Sequence, residues 1–111
     1  MTIEQMKQEV CQYAKQSYAE KLFAGTSGNL SVTDNGVIVI TPTSIAYETI
    51  TPEDMVVIQP DGTVLEGKHA PSSEWRMHAA IYRLKPEVHA IIHTHSPYAT
   101  AFAENNAPIP A

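Results

Sequence analysis

What is scarce in this chain of 111 residues sets its first limits. Cys11 is its single cysteine, so no internal disulfide can form and the thiol usage is that of a reducing compartment. Basic residues are few and scattered, 7 Lys and Arg against 12 Asp and Glu, for a formal charge of −5. A surface for the phosphate backbone of nucleic acid needs clustered cations, as does one for an anionic membrane, so neither is an expected partner. No apolar run approaches the ~20 residues that span a bilayer. The N-terminus also lacks the basic-then-apolar form of a signal peptide, and the expected location is the cytoplasm. What remains, 43% hydrophobic and 17% charged residues, is the composition of a globular protein with a modest core in one domain.

Periodicity divides the chain into helix, hairpin, hairpin, helix and strand. Thr2 to about Leu22 reads as an amphipathic helix, with Thr2 and Gln5 spaced as a capping box and Met6, Val10, Tyr13, Ala14 and Ser17 as its buried stripe. Leu30–Thr33 and Val37–Ile40 flank the turn formers Asp34-Asn35-Gly36, and Met55–Ile58 and Thr63–Leu65 flank Pro60-Asp61-Gly62. Pro71 precedes a helix from about Ser72 to Leu84, which Pro86 closes. Val88–Ile92 reads as a buried strand, and Tyr98–Glu104 as a short helix. This order predicts an α/β fold with a mainly antiparallel central sheet and helices packed on it.

The chemistry concentrates where these elements end. Along a strand, His93 and His95 leave the same face, as two ligands of one metal would, or as a polar strand end. Gly25-Thr26-Ser27-Gly28-Asn29 is either a turn of small polar residues or a nest of neutral donors for an anion. Thr41-Pro42-Thr43-Ser44 has the same two readings. In Pro71-Ser72-Ser73-Glu74, hydroxyls and a helix N-terminus favour a phosphate, whereas an N-cap alone would use the same serines. Glu74, shielded by a neighbour such as Trp75, is placed to move a proton to or from carbon. His78, one turn further, reads as hydrogen-bonded or as a ligand; His69 and His89 read as surface or structural residues.

Gly25–Ser31, Thr41–Ser44, Pro71–His78 and His93–Ser96 occur in the order and spacing of the class II aldolase/adducin family, which the chain resembles from about Met6 to its last residue. The resemblance implies a class II aldolase-like α/β/α sandwich, with residues 1–111 as the N-terminal portion of a single domain. It implies a zinc-dependent, reversible cleavage of a ketose 1-phosphate, such as L-fuculose 1-phosphate, to dihydroxyacetone phosphate and lactaldehyde. By position, Gly28, Asn29, Thr43, Ser44, Ser72 and Ser73 would bind the phosphate and nearby substrate oxygens. His93 and His95 would ligate zinc, and Glu74 would be the proton donor and acceptor, touching the metal when substrate is absent. The family's third histidine ligand falls downstream of Ala111. Ser44 stands where glycine is common in the family. Members are commonly homotetramers with sites at subunit contacts. Two other activities belong to the resemblance. One is an L-ribulose-5-phosphate 4-epimerase, in which an aspartate usually follows the two serines. The other is an adducin-like interaction module without the zinc site, against which Glu74, His93 and His95 speak.

Overall fold

Local pattern settles into helix α1 (Ile3–Ala19), strands β1 (Asn29–Asp34), β2 (Val37–Ile40), β3 (Val56–Ile58) and β4 (Val64–Glu66), helix α2 (Trp75–Leu84) and strand β5 (Ala90–His93). A computed structural model of the chain describes residues 1–23 and 28–94. The segment expected as a helix over Tyr98–Glu104 lies outside them. The strands form one sheet in the order β4-β3-β2-β1-β5, every pair antiparallel. Asn35 and Gly36, at φ +54° and +81°, make the two-residue turn between β1 and β2, the conformation that matches strand twist.

Alternation along the strands sorts the core into two layers. Leu30, Val32, Val39 and Val57 face α1 and pack with Met6, Val10, Cys11 and Ala14. Ile38, Ile40, Val56 and Ile58 point the other way, against Ala79, Trp75 and Tyr82 of α2. The sheet therefore lies between helices, the arrangement expected from the order of elements. No helix among the described residues is long and apolar enough to cross a membrane.

The capping box of α1 is present. Thr2 Oγ1 accepts from the Gln5 N–H at 3.1 Å, and Gln5 Oε1 accepts from the Thr2 N–H at 2.8 Å. The other end falls short of Leu22. Lys21 takes a left-handed φ of +65° and donates to the Tyr18 carbonyl at 3.0 Å, while Leu22 donates to the Ser17 carbonyl at 2.8 Å. This is a Schellman stop built on lysine, not on glycine. Tyr13 is 47% exposed; Lys7 and Cys11 take its place in the buried stripe. The Lys7 amine meets the Glu66 carboxylate of β4.

Two further expectations need correction. α2 starts at Trp75, so Ser72 and Ser73 form the turn before it. β5 is not a buried strand: Ala90 is exposed and Ile92 is 49% exposed. Its only described partner is β1. A run of apolar residues usually marks a strand covered on both faces, but the described residues leave β5 at the sheet edge.

Candidate active site

Antiparallel pairing brings the start of β1 beside the ends of β2 and β5. Asn29 stands opposite His93 in register. Just past β2, Pro42 bridges Pro71, Thr43 N–H donates to the Ala70 carbonyl at 3.1 Å, and Ser72 N–H donates to the Thr41 carbonyl at 2.9 Å. Thr41 also clasps β1: its N–H reaches the Leu30 carbonyl at 3.0 Å and its Oγ1 accepts from the Leu30 N–H at 3.2 Å. These ties gather Gly28, Asn29, Thr43, Ser44, Ser72, Ser73, Glu74 and His93 at one end of the sheet. Gly25, Thr26, Ser27 and His95 lie outside the described residues.

Each loop is held from beneath. Gly28 has φ +92°, and a Cβ there would lie 2.3 Å from Phe23 Cδ1, so only glycine fits over that ring. The Tyr47 hydroxyl donates to the Gly28 carbonyl at 2.5 Å. Burial pushes this phenol up to about 12, so it stays a donor across the physiological range. Ser44 takes a left-handed φ of +61°, which explains why glycine suits that position. Thr43, Ser44 and Ser73 are exposed, whereas Asn29 and Ser72 are buried. Ser72 Oγ accepts from the Glu74 N–H at 3.2 Å, and the Ser72 carbonyl accepts from the Trp75 N–H at 3.0 Å. The amides of Ser72 and Glu74 are therefore engaged within the protein.

Glu74 Oε1 lies 3.3 Å from His93 Nδ1, with about a third of each side chain exposed. Donors about 2.0–2.1 Å from a tetrahedral zinc ion lie roughly 3.3–3.4 Å from each other, so this pair fits two corners of such a site. No group of three His, Cys, Asp or Glu able to hold a metal occurs among the described residues. The Trp75 ring joins the core beneath α2 and lies over Gly62, where a Cβ would come within 2.4 Å of it.

His78 is fully buried and bonded through both ring nitrogens: Nδ1 is 2.6 Å from Ser31 Oγ, and Nε2 is 2.5 Å from Asn29 Oδ1. Ser31 Oγ is in turn 2.7 Å from the Tyr82 hydroxyl. Burial, with a smaller contribution from His93, lowers the imidazole to about 4, so it is neutral at physiological pH. The structure gives His78 the hydrogen-bonded reading. His69 binds Asp54 Oδ1 at 2.8 Å, and His89 is exposed. Tyr82 and Tyr47 fall outside the motifs, and Ser31 and Thr41 fall inside them with no role assigned by the sequence. Of these four, Ser31 and Tyr82 carried a further signal: Asn29 and Ser31 share a strand face, and His78 and Tyr82, four apart, share a helix face.

Comparison with known proteins gives a consistent picture. The family model for the class II aldolase and adducin N-terminal domain matches residues 8–111. A 5-deoxy-D-ribulose 1-phosphate aldolase of Bacillus thuringiensis serovar kurstaki is 37% identical over 113 aligned residues, which cover 100% of this chain and 53% of the relative. An L-ribulose-5-phosphate 4-epimerase of Salmonella paratyphi B is 46% identical over 88 residues, 78% of this chain and 39% of the relative. Among solved structures, an L-fuculose 1-phosphate aldolase superposes with a TM-score of 0.81 at 42% identity, covering 89% of this chain and 48% of that one. The chain thus spans about half the length, or less, of these proteins.

Proposed function

Because the chain belongs to the class II aldolase and adducin N-terminal domain family, we propose that it carries much of the active site of a zinc-dependent sugar-phosphate aldolase. The reaction is the reversible cleavage of a ketose 1-phosphate, such as L-fuculose 1-phosphate, to dihydroxyacetone phosphate and an aldehyde, lactaldehyde in the fuculose case. One observation carries this reading: a carboxylate and an imidazole 3.3 Å apart adjoin loops of neutral donors at one end of the sheet.

In this reading Gly28, Asn29, Thr43, Ser44, Ser72 and Ser73 hold the phosphate through hydroxyl and amide donors. Anchoring the phosphate fixes the reacting carbon, and such positioning is worth ~7–11 kcal/mol of barrier. Glu74 moves the proton: it takes one from the hydroxymethyl carbon of dihydroxyacetone phosphate in the condensation direction and returns it in cleavage. His93 and His95, with Glu74 when substrate is absent, would hold a zinc ion that supplies Lewis-acid polarisation of the substrate oxygens. A cytoplasmic homo-oligomer belongs to the same proposal.

Epimerisation of L-ribulose 5-phosphate is the second reading, favoured by the 46% identity to the Salmonella paratyphi B protein. The two differ in whether a triose phosphate leaves. The test supplies the purified, zinc-loaded protein with each sugar phosphate, following dihydroxyacetone phosphate by coupled NADH oxidation and pentulose 5-phosphates by chromatography. Triose phosphate release from L-fuculose 1-phosphate, reduced at least ~10²-fold in Glu74→Gln, is the expected result. Pentulose interconversion with no triose phosphate released assigns the epimerase instead. Undiminished turnover in Glu74→Gln removes the proton-transfer role.

A further inference from the structure

A carboxamide can turn either its oxygen or its amino group toward a ligand, and only the amino group can donate to a phosphate oxygen. The orientation of Asn29 is decided beneath the sheet. Asn29 and Ser31 project from β1 toward α2, where His78 lies between them with its Nδ1 at Ser31 Oγ and its Nε2 at Asn29 Oδ1. A neutral imidazole has one donor and one acceptor. A carboxamide oxygen only accepts, so the contact with Asn29 Oδ1 requires the hydrogen on His78 Nε2; Nδ1 then accepts from the Ser31 O–H, which leaves the Tyr82 O–H to donate to Ser31 Oγ. With its oxygen held, Asn29 has only its Nδ2 amino group to offer elsewhere.

We propose that His78 is a positioning residue: through this buried relay it fixes the Asn29 carboxamide so that Nδ2 is the donor to the substrate phosphate. The proposal rests on the sugar-phosphate reading above. His78 and Ser31 are fully buried and Asn29 is 3% exposed, so bulk water does not compete for these bonds. The opposite tautomer would reverse every member of the relay. His78 Nε2 would then accept from Asn29 Nδ2, and the carboxamide oxygen would face the phosphate and repel it.

The test starts with the unsubstituted protein near neutral pH. Long-range ¹⁵N–¹H correlations of the His78 ring report the tautomer, and inorganic phosphate is then titrated while the Asn29 side-chain amide is followed. Expected are an Nε2–H tautomer, a phosphate-dependent shift of the Asn29 Nδ2 protons, and about tenfold weaker phosphate binding in His78→Phe. His78→Gln, whose amide N–H can still donate to Asn29, restores most of that loss; a role confined to filling space would favour the aromatic ring. An Nδ1–H tautomer overturns the proposal even if His78→Phe does not fold. So does unchanged phosphate affinity in a folded His78→Phe. If the unsubstituted protein shows the Nε2–H tautomer but binds no phosphate, the anion-site reading fails, and the proposal fails with it.

Discussion

At Ser44 a left-handed backbone, φ +61°, meets a side chain that does not favour it. An L-residue in this region costs roughly 1–2 kcal/mol, and glycine returns about half of the saving through the freedom it adds to the unfolded chain. Ser44→Gly should therefore stabilise the protein by about 0.5–1 kcal/mol, read as a higher urea midpoint at unchanged slope. An unchanged or lower midpoint would mean that the Ser44 hydroxyl makes a compensating bond. Strain kept beside a candidate binding loop is consistent with a role for that hydroxyl. His78 raises a different question, one of pH. The unfolded chain takes up a proton near pH 6.5, whereas the folded imidazole does so only near 4, because burial disfavours its charge. Its contribution is fully present above pH 6.5 and declines as the pH falls toward 4, by about 3 kcal/mol in all. Carboxylates titrate in part of this range, so the quantity to measure is the difference between the stability–pH curves of the parent and His78→Gln. Parallel curves between these limits would contradict the buried, neutral ring.

Among the elements, α1 shows how much of the fold was legible in local pattern. Its start was, because Thr2 and Gln5 close a box whose chemistry spans only one turn; Thr2→Ala should cost about 1 kcal/mol in thermal unfolding. A loss below a few tenths would show that the box is redundant. Its end was not, because the stop uses a left-handed Lys21, and nothing local distinguishes that lysine from one inside a helix. Both hairpins were legible through turn chemistry. β5 was legible as a strand, but its exposure among the described residues was not, because an apolar run carries no record of which part of the protein covers its faces. The same division holds for the candidate site. Short motifs pointed to Gly28, Thr43, Ser44, Ser72, Ser73, Glu74 and His93, all of which the fold gathers at one end of the sheet. The partners of His78 lie 47 and 49 residues away on another element, and the role of that residue appears only once α2 docks on β1.

For the molecule as a whole, the proposed zinc pair depends on long-range assembly. Glu74 precedes α2 and His93 ends β5, and they meet only after β5 pairs with β1 and α2 covers Ile38, Ile40, Val56 and Ile58. An unfolded chain has no such preformed pair, so metal binding at this point draws on the same free energy as folding. Zinc at a hundredfold excess over its Kd should then add about 2.7 kcal/mol of stability, a rise of roughly 5–15 °C in Tm for a chain of this size. Calorimetry with and without zinc measures it, and a chelator should return the transition to its starting point. His93→Ala should abolish the rise, because it removes a ligand. Ser73→Ala should keep the rise in full, since it alters a hydroxyl in the neighbouring turn and leaves the donors in place. An equal rise in His93→Ala would locate the metal elsewhere. A rise lost in both variants would mean that the turn before α2, and not the ligand pair, sets the response.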